Sequence, residues 1–156
     1  MEPSKNSKPI VILMADDDDD DYMLTKKALS ESKLLNQLMR VKDGEELLEY
    51  LRREGEYADR EKYPRPGVIL LDLNMPRKDG REALKEIKSD KLLSSIPVVV
   101  FTTSKAEEDI YRSYELGVNS FITKPVTFEN LTEVMRTLGQ YWFEIVELPK
   151  DADGSN

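Results

Sequence analysis

Four apolar runs in this chain each end at a residue able to do chemistry. Asp16 and Asp17 follow the run 10–15, Asp72 follows 68–71, Thr102 follows 98–101, and Lys124 lies just past 121–122. If the runs are parallel strands, their carboxyl ends share one edge of a sheet, which is where open α/β folds place ligands. Three carboxylates, a hydroxyl and an ammonium would then converge. Two carboxylates about 4 Å apart repel by about 4 kcal/mol at an effective dielectric of about 20, so such a cluster demands a cation or a proton.

The elements that must position these residues are legible as a pattern. Short apolar runs rich in Val and Ile alternate with longer segments at helical spacing, as in βα units around a parallel sheet. The spacing predicts strands near 9–15, 37–41, 67–72, 97–102 and 119–122, with helices at about 19–34, 44–54, 80–90, 105–116 and 127–146. Met75-Pro76 and Ile96-Pro97 mark loops, because proline lacks an amide donor and biases its predecessor away from helix. The stretch 55–67, charged and holding two prolines, reads as a surface loop with no assigned role. The polar ends, 1–8 and 147–156, read as disordered and flexible.

Bulk composition narrows the chemistry further. A chain of 156 residues suits a single domain with one core. Its 31 acids against 23 bases, net −8, argue against nucleic acid as a direct partner. The absence of cysteine removes disulfides and thiol nucleophiles, and fits a reducing compartment. The absence of histidine removes imidazole catalysis and the usual zinc sites, so any phosphohistidine belongs to a partner. No run has signal-peptide character or approaches the roughly 18 apolar residues of a membrane span, so the reading is a soluble cytoplasmic protein without a membrane partner.

Each candidate has a plainer alternative. In the run of six aspartates at 16–21, acids at the start of a helix cap it and favour its dipole, whereas Asp16 and Asp17, directly after the strand, face the crevice. Oxygen ligands without nitrogen or sulfur select magnesium, manganese or calcium. Asp72 alone could be a turn acid. In company with the other strand ends it reads instead as a carboxylate nucleophile toward a phosphoryl group. Thr102, followed by Thr103 and Ser104, could bond its own backbone. Lys124, between an apolar strand and Pro125, has little reason to point inward except to meet negative charge.

Taken in order, Asp16-Asp17, Leu71-Asp72, Met75-Pro76, Asp79-Gly80, Thr102 and Lys124-Pro125 resemble the receiver domains of two-component response regulators, over roughly residues 9–146. The resemblance implies a flavodoxin-like (βα)5 fold with strand order 2-1-3-4-5. It implies that Asp72 accepts a phosphoryl group from a partner histidine kinase. Asp17, Asp72 and the Asn74 carbonyl would bind Mg2+, or Mn2+ in its place, with Asp16 acting through water. Lys124 would pair with the phosphoryl group or a metal-site carboxylate, and Thr102 would hydrogen-bond a phosphoryl oxygen. Asn74 and Ser104 would tune hydrolysis.

In such proteins Thr102 and an aromatic on the fifth strand form a switch; here the aromatic is Phe121, without the hydroxyl of the tyrosine often found there. Asp18 and Asp19 stand where relatives often have asparagine and proline, making the cleft mouth unusually acidic. After the last helix only about ten residues remain, too few for an effector, so output is expected through a protein target. Tyr141, Trp142 and Phe143 fan over about 200° of a helix, more than one core stripe of about 100° can bury, and point to a partner or dimer interface. With this helix the chain resembles single-domain regulators paired with phytochrome kinases, which implies a phytochrome-type kinase and a homodimer.

The reading is of a self-phosphorylating acceptor with some autodephosphorylation, not an enzyme turning over a small substrate. The alternatives are a receiver-like interaction module that is never phosphorylated, and a magnesium-dependent phosphotransferase, for which the chain has no spare domain to form a substrate pocket. Calcium buffering fails on geometry, since adjacent aspartates cannot wrap one ion.

Overall fold

A computed structural model of the protein describes residues 10–31, 36–103, 106–118, 120–124, 128, 129 and 132. Five parallel strands form one sheet: β1 (Ile12–Ala15), β2 (Leu38–Val41), β3 (Val68–Leu71), β4 (Val98–Thr102) and β5 (Ser120–Thr123). Their order across the sheet is β2-β1-β3-β4-β5, the doubly wound flavodoxin-like arrangement that the alternating pattern predicts. Predicted and observed strand ends coincide at 15, 41 and 102, and the others differ by one to three residues.

The central strands are apolar, save for Thr102 at the end of β4, because helices cover both faces. β1, β3 and β4 are buried at every position. Successive side chains alternate between faces: Leu13, Ala15, Ile69 and Leu71 join one core cluster, and Ile12, Met14, Val68 and Leu70 join the other. The register pairs Ala15 with both Val41 and Leu71, Leu71 with Val100, and Thr102 with Thr123. Strands of similar length in this register end close to level, so the residues after them lie along one rim.

Helices α1 (Asp19–Glu31), α2 (Gly44–Arg52), α3 (Gly80–Ser89) and α4 (Glu107–Glu115) link the strands. The starts of α1, α2 and α3 follow from side-chain caps. Asp18 accepts the amides of Asp20 and Asp21, Asp43 accepts that of Glu46, and Asp79 accepts that of Arg81. Glu46 also reaches back to the Lys42 amide at 2.8 Å, closing a reciprocal cap. The expected fifth helix, with Tyr141, Trp142 and Phe143, falls almost wholly outside the described residues, as do both chain ends.

The stretch read as a surface loop is more than that. It opens with a single 3-10 turn (Gly55–Ala58), and Tyr57 within it is buried in the larger core cluster. Tyr57 packs against Tyr50 and Tyr63, with ring centroids 5.1 and 4.7 Å away. The tyrosine hydroxyls find acceptors: Tyr50 donates to the Pro64 carbonyl at 2.8 Å and Tyr57 to Glu46 Oε2 at 2.5 Å. Polar composition hid this satellite of the core, because three tyrosines at irregular spacing carry no periodic signal.

Candidate functional site

The acidic cluster sits at the carboxyl ends of β1 and β3. The Asp16 amide bonds the Val41 carbonyl and the Asp72 amide bonds the Ala15 carbonyl, both at 3.0 Å, so each acid begins one step beyond the sheet ladder. Asp16 and Asp72 are buried and Asp17 is exposed. One carboxylate oxygen from each lies within 4.8 Å of the others. Gly80 starts α3 close against the end of β3: a Cβ there would stand 2.3 Å from the Asp72 carbonyl oxygen. Only glycine permits this approach.

Lys124, at the end of β5, is 7% exposed, and its backbone amide donates to the Thr102 carbonyl at 2.7 Å. Its ammonium reaches Asp16 Oδ2 and Asp21 Oδ2 at 2.5 Å each, and Asp72 Oδ2 at 3.3 Å. Burial alone would pull the lysine below its ordinary pKa, but its hydrogen bonds to Asp16 and Asp21 and the charges of Asp16 and Asp72 carry it above. For Asp16 the balance is opposite. Burial pushes its carboxyl up to about 6, against the lowering effects of the Lys124 hydrogen bond and charge and of the Asp18 amide. One ammonium does not neutralise the three acids it touches, and a divalent ion beside them would complete the charge balance. The donor set is oxygen alone, which fits Mg2+ or Mn2+.

Asp72 is held at both oxygens: Oδ1 accepts the Asn74 amide at 3.0 Å, and Oδ2 faces Lys124. The Asn74 side chain turns the other way and donates from Nδ2 to Thr102 Oγ1 and Thr103 Oγ1, each at 3.1 Å. Thr102 is fully buried at the end of β4. Phe121 is half-buried and packs against the larger core cluster. Six residues singled out in the sequence, Asp16, Asp17, Asp72, Asn74, Thr102 and Lys124, therefore gather on one rim, with Phe121 on the adjacent strand. Ser104 falls outside the described residues.

Two further residues belong to this neighbourhood. Asp21 was assigned to the first turn of α1, which it occupies, yet it also holds Lys124. Its place in the same short acidic run as Asp16 and Asp17 is a signal that could have found it. Arg81 donates from Nη2 to Asn74 Oδ1 at 3.3 Å while its Nε and Nη2 grip both oxygens of Asp109 on α4 at 2.8 and 2.6 Å. No spacing rule predicts that pair.

Comparison with known proteins agrees with this geometry. The family description "Response regulator receiver domain" matches residues 12–136. The response regulator Rcp1 of Synechocystis sp. is 42% identical over 145 residues, covering 93% of this chain and 97% of Rcp1. The phosphorylated cyanobacterial phytochrome response regulator RcpA superposes with a TM-score of 0.77 at 44% identity, covering 86% of this chain and 94% of RcpA. The Mn2+-bound form of Rcp1 gives 0.76 at 43% identity, over 87% of this chain and 96% of that one. A strand order, a rim of acids and a buried lysine that point to phosphoryl chemistry thus meet an independent match over most of the chain, and the protein belongs to the response-regulator receiver family.

Proposed function

We propose that Asp72 accepts a phosphoryl group from the phosphohistidine of a sensor kinase, and that the phosphorylated domain signals by contact with a protein target. The observation that carries this reading is the setting of Asp72: a buried carboxylate at a strand end, fixed at one oxygen by the Asn74 amide, faced by Lys124 at the other, and within reach of the acids Asp16 and Asp17. In the transfer, a carboxylate oxygen of Asp72 forms a bond to phosphorus as the bond from phosphorus to the kinase's imidazole nitrogen breaks. Asp17, Asp72 and the Asn74 carbonyl, with Asp16 acting through water, would hold a divalent ion, which would supply positive charge against the phosphoryl oxygens. Lys124 supplies a second positive charge and so moves part of its bonding from Asp16 and Asp21 toward the incoming group. Thr102 offers its hydroxyl to a phosphoryl oxygen, and Phe121 on the neighbouring strand follows by packing alone.

The similarity to a cyanobacterial phytochrome response regulator supports a phytochrome-type kinase as the donor, and a homodimer as the working form rests on the aromatic triplet 141–143 of the sequence. The chemistry is stoichiometric, one phosphoryl group per chain, with autodephosphorylation in place of substrate turnover. Intact mass after incubation with acetyl phosphate and Mg2+ tests the reading. A gain of about 80 Da, one phosphoryl group, that is lost in Asp72→Asn and without metal supports it. Unchanged mass despite demonstrated Mg2+ binding favours the interaction-module alternative.

A further inference from the structure

Arg40 stands on β2, the edge strand beside β1. By the alternation of a strand it shares a face with Leu38, which packs against the cluster holding Ala28 and Leu29 of α1. Only 12% of its side chain is exposed. A cation so enclosed needs partners, and three surround it. The guanidinium lies over the Tyr22 ring, with Cζ 4.9 Å from the centroid. Its Nη1 pairs with Asp19 Oδ1 at 2.7 Å. Its Nε donates to the Asp16 carbonyl at 3.1 Å.

The third contact bears on the site. The Asp16 amide pairs with the Val41 carbonyl at 3.0 Å, and one step further along the chain the Asp16 carbonyl takes Arg40. That carbonyl belongs to the peptide joining Asp16 to Asp17. A peptide is planar, so holding its carbonyl also sets its amide and the directions in which both Cα atoms leave it. Asp16 is buried and Asp17 exposed, yet one carboxylate oxygen of each lies within 4.8 Å of the other and of Asp72. A turn of this one peptide would part them.

Charge and placement have opposite consequences here. A fixed cation near the rim repels a metal ion, so removing it, which also leaves Asp19 without its partner, should tighten metal binding. Acids already held in place bind better than wandering ones, because less freedom is lost when the ion arrives. We propose that Arg40 is a positioning residue of the metal site: its Nε–H holds the Asp16–Asp17 peptide in the orientation that gathers both acids with Asp72, against its own repulsion of the ion. The proposal rests on the reading of this rim as a divalent-metal site.

Two neutral substitutions separate placement from charge. Glutamine carries a donor nitrogen at the chain position of the arginine Nε, and methionine carries a methyl group there. Arg40→Gln and Arg40→Met therefore lose the same charge but differ in the donor toward the Asp16 carbonyl. Methionine also suits the apolar face on which residue 40 lies, and urea unfolding without metal reports on the fold of each variant. Mg2+ affinity of the full chain is read by titration of amide NMR signals. Arg40→Met binds Mg2+ about three- to tenfold more weakly than Arg40→Gln, as one neutral hydrogen bond allows, and more weakly than wild type. The ratio of wild-type to Arg40→Met affinity grows with ionic strength, because salt screens only the electrostatic gain from losing the cation. In the metal-free protein the Asp16 carbonyl carbon and the Asp17 amide nitrogen shift in Arg40→Met and stay near their wild-type positions in Arg40→Gln.

Equal affinities in the two variants, or tighter binding by Arg40→Met than by wild type, overturn the proposal, since Arg40 then acts through charge or stability alone. An Asp17 nitrogen signal that moves alike in both variants overturns it too. A wild type that binds no Mg2+ removes the metal-site reading, and the proposal falls with it; the wild-type titration tells the two failures apart.

Discussion

Lys124 is bonded to Asp21, on the first turn of α1, at the same 2.5 Å that separates it from Asp16. The site lysine is thus shared between the sheet rim and a helix, and Asp21 competes with whatever else would draw that ammonium into the cleft. Asp21→Asn should speed phosphoryl uptake from acetyl phosphate by about two- to fivefold, through a released lysine and one negative charge fewer facing an anionic donor. Rate against ionic strength, measured by mass, checks this: the advantage shrinks as salt rises. An unchanged or slower rate in Asp21→Asn would count against it.

Lys124→Met should destabilise the metal-free protein by about 3 kcal/mol, since it strips the shared cation from two buried carboxylates. Mg2+ should recover part of that loss by supplying charge from another direction. Urea unfolding with and without Mg2+ measures both numbers. A variant as stable as wild type in the absence of metal would show that the acids do not depend on Lys124.

Asp17 offers its carboxylate to the metal cluster from an exposed position. Asp17→Asn should therefore weaken Mg2+ binding by about tenfold or more, while leaving metal-free stability within about 0.5 kcal/mol. Isothermal titration and urea unfolding on the same samples separate the two effects. Loss of fold with retained metal affinity would be the contrary outcome.

Burial holds the Tyr50 phenol up to about 12, against an ordinary value of 10.0. A raised pKa in the folded state means that folding favours the protonated phenol. The stabilising effect is complete below about pH 10 and is lost as pH rises through about 12. At neutral pH, Tyr50→Phe should cost about 1 kcal/mol, through loss of the bond to the Pro64 carbonyl. The gap between wild type and Tyr50→Phe should then narrow between pH 10 and 12, because phenylalanine has no proton to lose. Chemical unfolding across that range shows whether it does.

The architecture was readable because it rests on local signals. Runs such as 68–71 and 98–101 are apolar without interruption, and each stops at a polar residue, so both the parallel sheet and its reactive rim follow from one pattern. The relations between elements were harder. Asp21 reads as a helix-start acid until the fold brings it to Lys124 from 103 residues away. Arg81 and Asp109 meet only because α3 and α4 are neighbours along the sheet. Tyr57 and Tyr63 lie in a stretch whose glycines, prolines and charges announce a loop, and their packing with Tyr50 of α2 leaves no trace in periodicity.

The pairing of Lys124 with Asp16 joins residues 108 positions apart, across strands at opposite ends of the chain. No contiguous fragment short of nearly the whole domain contains both, and non-local contacts of this kind form late in folding. On the reading of Asp72 as phosphoacceptor, the site is therefore a certificate of complete folding: a truncated copy that ends before β5 carries Asp72 but not Lys124, and would lack the cation that faces the incoming group.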